Sequence, residues 1–226
     1  MSYEATRARV ETYFDRSATE VWARLTSDAP VSRIRQTVRE GRDTMRARML
    51  ARLPADLSGA RILDAGCGAG QMTAELAARG AEVVACDISP ALVDIARDRL
   101  PYPHHGRVTF HAGDMLDPAL GHFDHVMAMD SLIYYGEADL ARALNGLALR
   151  TAGGVVFTVA PRTPLLMTMW RAGKLFPRAD RSPVMVPHSA RRLERALRNT
   201  GAAARLAPLG RVARGFYISE AMEVRG

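Results

Sequence analysis

From Ala60 the chain alternates short apolar runs with longer stretches whose apolar residues recur at helical spacing, the pattern of βαβ units around a parallel sheet. Arg61-Ile-Leu-Asp64 reads as a strand, 70–79 as a helix, 82–86 as a strand and 90–100 as a helix. Strands follow at 107–111 and 123–129, then a helix near 137–149 and an apolar strand at 153–159. Strands this uniformly apolar are buried on both faces, so ligands are expected at their carboxyl ends. Before Ala60, the residues Val31, Ile34, Val38, Met45 and Met49 give a helix over 31–52 one core-facing side, and Tyr13-Phe14 with Trp22 sit in an amphipathic pattern over 1–27.

The 226 residues suffice for one sizeable core and one full domain with an appendage. With 48% apolar and 24% charged residues, the chain is globular and not disordered. No apolar run approaches the ~18 residues of a membrane span, and Glu4, Arg7 and Arg9 stand where a signal peptide is apolar. The expected compartment is the cytoplasm. Two cysteines, Cys67 and Cys86, are too few for a disulfide framework and are expected to be reduced packing residues.

The net charge of +7 invites a nucleic-acid reading, but its distribution changes that picture. Residues 1–59 carry eleven Arg against eight acids, 60–160 seven against twelve, and 161–226 thirteen basic residues against four acidic. Two basic flanks bracket an acidic middle, as expected if the flanks meet an anion while the middle holds something else.

The first strand runs into Asp64-Ala-Gly-Cys-Gly-Ala-Gly70. Glycines there let backbone pass close to a ligand. The G-x-G-x-G spacing differs from the G-x-G-x-x-G of dinucleotide sites, and the carboxylate of Asp64 suits an ammonium better than a pyrophosphate. Acids recur at the next strand ends: Asp87 followed by Ile88, placed to take both ribose hydroxyls; Asp114 with Met115, suited to an adenine amino group and ring; and Asp130. Any one of them could be a helix cap or a turn residue, as Ser89-Pro90 after Asp87 suggests. Four at successive strand ends favour a ligand.

This set resembles the class I S-adenosylmethionine-dependent methyltransferases over roughly residues 60–160. The resemblance implies a Rossmann-like α/β fold with a seven-stranded, mostly parallel sheet, helices on both faces, and a last hairpin of 203–209 with 214–223. It implies Gly66 and Gly68 under the methionine part of the cofactor, Asp87 at the ribose, and Asp114 with Met115 at the adenine. Residues 60–226 then form the methyltransferase domain, with a substrate-side insertion around 161–188, and 1–59 a helical lid.

On the 31–52 helix, Arg35, Arg39, Arg42 and Arg46 follow at spacings of four, three and four, a guanidinium stripe with only Glu40 and Asp43 to offset it. Such a stripe is usually a solvated face; here a bound carboxylate would relieve the repulsion. Downstream, Leu165, Leu166, Met167, Met169 and Trp170 lead to Gly173-Lys-Leu-Phe-Pro177, Arg178 and Arg181. An apolar, Met-rich segment edged with arginine suits a large flat ligand carrying carboxylates, and equally a peripheral membrane patch.

With these flanks the chain resembles more closely the magnesium protoporphyrin IX O-methyltransferases of chlorophyll and bacteriochlorophyll synthesis. The residues that carry the likeness are Tyr13-Phe14 with Trp22, Ser32 to Arg42, Met129-Asp-Ser-Leu-Ile-Tyr-Tyr135, Ala160-Pro-Arg-Thr163, and Gly173 to Pro177 with Arg181. Where many members have histidine then tyrosine after the fourth strand, this chain has Tyr134-Tyr135. The resemblance implies S-adenosylmethionine as cofactor, S-adenosylhomocysteine as product, and magnesium only inside the porphyrin. It also implies a porphyrin-carrying magnesium chelatase subunit as partner. No Cys/His ligand cluster exists in the sequence, and His104-His105 lies in a Pro-rich loop.

The implied reaction methylates a porphyrin propionate. With a pKa near that of Glu, ~4.3, a propionate is ionised at neutral pH and needs alignment and water exclusion more than a base. Tyr134 is the candidate to align it by hydrogen bonding, or else it stacks on the porphyrin or packs in the core. Arg162 and Arg181, with Trp170, are expected on the substrate side. Arg35 and Tyr13 are candidates at the cofactor, Arg35 for its methionine carboxylate, and Arg39 and Arg42 for either ligand. The competing classes are a quinone or polyketide O-methyltransferase, a nucleic-acid methyltransferase, for which no Asn-Pro-Pro-Tyr-like motif is present, and a non-enzymatic docking module built on 161–181.

Overall fold

The computed structural model describes residues 2–15, 19, 26, 30, 32–163, 167, 183–201 and 203–226. Its strands are β1 (Arg61–Ala65), β2 (Glu82–Asp87), β3 (Val108–Ala112), β4 (Phe123–Ala128), β5 (Thr151–Pro161), β6 (Pro187–His188), β7 (Arg205–Arg214) and β8 (Tyr217–Arg225). The helices are α1 (Tyr3–Tyr13), α2 (Arg33–Leu50), α3 (Gln71–Ala78), α4 (Pro90–Arg99), α5 (Glu137–Ala148) and α6 (Ala190–Asn199).

The main path of the sheet is β3-β2-β1-β4-β5-β8-β7. Its first five strands are parallel, and β8 runs antiparallel to both β5 and β7. This is the mixed α/β order expected of class I methyltransferases. The two-residue β6 joins the tip of β5.

Alternation along the central strands divides the core. Ile62, Met127 and Val156 point to the side covered by Met45, Met49 and Leu50 of α2 and by Met72 and Leu76 of α3. Leu63, Val126 and Val155 point to the other side, covered by Leu140 and Leu144 of α5 and Leu193 and Leu197 of α6. Period-two side chains on strands buried on both faces require two such layers. α2 is thus part of the same core as the sheet, although it precedes residue 60.

Helix starts follow their caps. Ser32 and Ser89 accept from the backbone N–H of Arg35 and Leu92, and Pro90 opens α4. Gly70, left-handed at φ 83°, turns the chain from the glycine loop into α3.

Two expectations change. The hairpin strand expected at 203–209 runs over Arg205–Arg214, because a register shift between Pro208 and Gly210 absorbs the proline and the ladder continues. Of the helix expected over 1–27, Tyr3–Tyr13 is α1, and residues 16–18, 20–25 and 27 lie outside the described residues. α6 was not anticipated: its buried stripe is Leu193 and Leu197 in a run otherwise rich in arginine.

At Gly41, α2 crosses β8 so closely that an added Cβ would lie 2.7 Å from Cδ1 of Tyr217, whose ring is buried and hydrogen-bonded. Gly41→Ala raises helix propensity by about 1 kcal/mol, yet overpacking of about 1–3 kcal/mol is expected to win. Urea unfolding should show a lower midpoint with an unchanged slope; a higher midpoint would contradict this packing.

Candidate active site

A cleft opens at the carboxyl ends of β1, β2 and β4, where a parallel sheet presents its loops. Its described walls are the glycine loop, Asp87 and Ile88, Gly113 to Met115, Met129 to Ser131, and Tyr134 with Tyr135. α1 covers it with Tyr3, Arg7 and Val10 and with Phe14 at its C-cap, and α2 adds Arg42 and Arg46.

The loop is built by glycine. Gly66 and Gly68 take φ of 84° and 53°, and a side chain at Gly66 would run into Ser131. The N–H groups of Gly66 and Cys67 donate to the Cys86 carbonyl at 2.7 and 3.0 Å, pinning the loop to β2. Gly68 N–H donates to Oδ2 of Asp87 at 2.8 Å, and Ser89 N–H to its Oδ1 at 2.9 Å. Asp87 is therefore oriented by backbone donors. A carboxylate has about four acceptor sites, so it retains lone pairs for a diol.

Asp64 is 1% exposed and accepts from Thr73 Oγ1 at 2.6 Å. Burial pushes its carboxyl up to about 7, opposed by the Thr73 hydrogen bond, reinforced by the charge of Asp87 and opposed again by Arg46. Burial likewise raises Asp87, against the Ser89 and Gly68 N–H groups. A floor of buried carboxyls close to one another favours a cationic ligand.

Asp114 holds the other end. Its Oδ1 accepts from Tyr3 Oη at 2.8 Å and from Leu116 N–H at 2.9 Å, and its Oδ2 from Arg7 at 2.8 Å. Tyr3 also stacks on Tyr135, with ring centroids 4.7 Å apart. Val10 and Phe14 pack with Leu92, and Phe14 meets Tyr134 edge-on at 6.3 Å. α1 thereby roofs the cleft with apolar contacts at one end and an ion pair at the other.

Asp64, Gly66, Gly68, Asp87, Ile88, Asp114, Met115, Asp130 and Tyr134 are brought together as the sequence reading expected. Asp130 differs in use: its oxygens accept from Arg42, from Thr158 Oγ1 at 3.0 Å and from Tyr217 Oη at 3.2 and 3.3 Å. It is a brace more than a ligand group, and Arg42, expected to meet either ligand, is its partner. Arg35 is exposed in the first turn of α2 and does not reach the cleft, nor does Arg39 line it. Tyr13 packs against the Phe14 ring and is not in the lining. The side chain of Arg162 is exposed outside the cleft, its backbone N–H bonded to the His188 carbonyl at 2.8 Å. Trp22, Trp170 and Arg181 lie outside the described residues.

Arg46, Thr73, Tyr3 and Arg7 were not singled out by the sequence reading as cofactor-site groups. Arg46 belonged to the arginine stripe, one turn beyond Arg42. Only the fold shows that its charge acts on Asp64. Among the described residues, no three His, Cys, Asp or Glu side chains are grouped to hold a metal ion, and no helix is long and apolar enough to cross a membrane. The donor set fits S-adenosylmethionine: a buried carboxyl for an ammonium, a guanidinium for a carboxylate, an oriented carboxylate for a ribose, and apolar Ile88 and Met115 for a base.

Comparison with known proteins agrees with this geometry. Residues 62–152 match the family model "Methyltransferase domain", and 128–226 match "Magnesium-protoporphyrin IX methyltransferase C-terminus". A magnesium-protoporphyrin O-methyltransferase of Rhodobacter capsulatus is 61% identical over 99% of this chain and 98% of its own. Two crystal structures of magnesium protoporphyrin IX methyltransferase from Synechocystis PCC 6803 superpose along the chain. The one with bound S-adenosylhomocysteine has a TM-score of 0.79 at 28% identity, covering 97% of this chain and 100% of that one. The one with bound S-adenosylmethionine has a TM-score of 0.75 at 25% identity, covering 98% and 97%.

Asp64 titrates near neutrality, and an ammonium pairs only with its ionised form. Affinity for S-adenosylhomocysteine should therefore fall as pH drops below about 7, approaching a tenfold loss per pH unit. Thr73→Val removes the donor that favours the carboxylate and should move the midpoint upward. Titration calorimetry from about pH 5.5 to 8.5 checks both; an affinity flat across that range would contradict the assignment.

Proposed function

The chain belongs to the magnesium-protoporphyrin O-methyltransferase family, and on that premise we propose that it carries a methyl group from S-adenosylmethionine to a propionate of magnesium protoporphyrin IX, giving the monomethyl ester and S-adenosylhomocysteine. The observation that carries this reading is the strand-end cleft of oriented carboxylates, in a chain whose whole length matches a methyltransferase of that name.

When bound, S-adenosylmethionine supplies an electrophilic methyl group on a positively charged sulfur. The residues of the cleft bind and orient it. Asp87, held by Gly68 and Ser89, takes the ribose hydroxyls; Asp64 takes the ammonium, and Arg46 takes the carboxylate first assigned to Arg35. Ile88 and Met115 flank the adenine, and Asp114 receives its amino group beside Tyr3 and Arg7.

The acceptor needs no proton removed, since a propionate is ionised at neutral pH at its pKa of ~4.3. Tyr134 suits this task as a donor. Burial pushes its hydroxyl pKa up, as do the charges of Asp130 and Tyr13, so it keeps its proton and can orient one carboxylate oxygen while leaving the other to react. Val10 and Phe14 beside it exclude water from a weak nucleophile. A strong ion pair on the reacting carboxylate would dull it, so arginines belong on the other propionate. Arg162, Arg181 and Arg39 are the candidates, with Trp170 against the ring.

The magnesium enters as part of the substrate. The arginine-edged apolar sequence 161–181 supports two further partners: a porphyrin-carrying magnesium chelatase subunit that hands over the substrate, and a peripheral membrane contact.

The test is transfer of a labelled methyl group to magnesium protoporphyrin IX beside metal-free protoporphyrin and total RNA. Label in a porphyrin monomethyl ester with little in RNA is expected; a protein that binds the cofactor and labels no porphyrin would overturn the reading. In the same assay Tyr134→Phe should lower kcat about tenfold, the worth of one hydrogen bond of ~1.4 kcal/mol, with KM for the cofactor unchanged. Arg46→Met should instead raise that KM about tenfold or more.

A further inference from the structure

One buried titratable side chain takes no part in the chemistry described so far. His188 is 2% exposed and does not line the cleft. It ends β6, the two-residue strand pairing in parallel with Ala160 and Pro161 at the tip of β5, where β4 has already ended. The Arg162 N–H donates to the His188 carbonyl at 2.8 Å, so the backbone at 188 is tied to the sheet.

The imidazole faces the other way. Its Nε2 lies 3.0 Å from the carbonyl oxygen of Tyr135. A carbonyl only accepts, so the ring proton sits on Nε2. Two residues earlier, the Val186 N–H donates to the Ile133 carbonyl at 2.8 Å. Two bonds from one short segment thus hold the loop that leaves β4. That loop carries Tyr134, edge-on to Phe14, and Tyr135, stacked on Tyr3 under α1.

We propose that His188 is a positioning residue for the acceptor: by donating to the Tyr135 carbonyl from behind the cleft, it fixes the loop that seats Tyr134 and Tyr135 against the porphyrin. This rests on the reading of Tyr134 as the group that orients the propionate. An apolar side chain could fill the space, but only a donor of that reach meets the buried carbonyl, whose partner among the described residues is this imidazole. Burial disfavours the doubly protonated ring; the Tyr135 carbonyl and Glu137 pull the other way, and Arg162 adds to the burial. The neutral ring is the form that gives one donor and one acceptor.

The test uses the full chain with His188→Leu, which fills the space without a donor, and His188→Gln, which offers an N–H near the Nε2 position. His188→Leu should lower kcat for magnesium protoporphyrin IX by about 30-fold, within the 10²-fold that a misplacement of about 1 Å can cost. Its affinity for S-adenosylhomocysteine should stay within about twofold of wild type. Hydrogen exchange at the Val186 amide should speed up, because its Ile133 acceptor is no longer held in place. His188→Gln should return kcat to within about threefold and restore the slow exchange.

Unchanged turnover in His188→Leu overturns the proposal. So does a His188→Gln variant as impaired as the leucine one, or a loss of S-adenosylhomocysteine binding that parallels the loss of turnover. Should His188→Leu fail to fold, His188→Asn, whose amide is too short to reach the Tyr135 carbonyl, is judged by the same criteria. Wild-type protein that labels no porphyrin would refute the functional reading instead. The exchange rates of Val186 in the two variants would still decide whether His188 holds the loop.

Discussion

Arg42 reaches from α2 to Asp130, just beyond β4, and the two side chains are only 12% and 9% exposed. Taking both charges out of water costs several kcal/mol per ion, and the pair holds only if further hydrogen bonds complete it. Thr158 on β5 and Tyr217 on β8 supply them. Asp130 is the one non-glycine residue at positive φ among those described, 57°, and its N–H is held by Thr158 Oγ1 at 2.8 Å. An aspartate tolerates that conformation better than most residues. α2, β5 and β8 therefore converge on one carboxylate just beyond β4, and the cleft lies directly over it. Removing either charge would strand the other, at about 3–5 kcal/mol.

The carboxyls of the cleft differ by what surrounds them. Asp114 is satisfied by an arginine and a tyrosine from α1, Asp130 by an arginine from α2, and Asp87 by backbone N–H groups. Asp64 has a threonine and only the charge of Arg46 to favour its ionised form, and burial raises its carboxyl to about 7. A ligand that brings an ammonium completes what the protein leaves incomplete. The two cysteines flanking this floor stay protonated, pushed up first by burial and then by the aspartates, Cys86 to about 12.

The sheet was legible because strands buried on both faces leave apolar runs that tolerate little else, and the glycine loop because backbone must pass close to its neighbours. Ends were less so: β5 extends over Thr151–Pro161, past the apolar run at 153–159, because its tip pairs with β6 and its first residue, Thr151, pairs with Phe123 of β4 ahead of a register shift. α6 escaped notice since two buried leucines among exposed arginines resemble a solvated segment. The acids at the strand ends were recognised as a set, but not that Asp130 would be filled from Tyr217, 87 residues away. The arginine stripe shows the same limit. Its periodicity defines a face of α2 and already brings Arg46 to Asp43 three residues before it, yet only the packing of α2 decides that Arg42 meets Asp130 and that Arg46 meets Glu75.

The central claim is that the buried Arg42–Asp130 pair assembles the cofactor cleft as a unit, and a double-mutant cycle on S-adenosylhomocysteine binding tests it most directly. Arg42→Met and Asp130→Asn should each weaken binding about tenfold or more, and the double variant should bind no worse than either, a coupling of at least ~1.4 kcal/mol. Additive losses, with the double variant weaker by the product of the single effects, would contradict it.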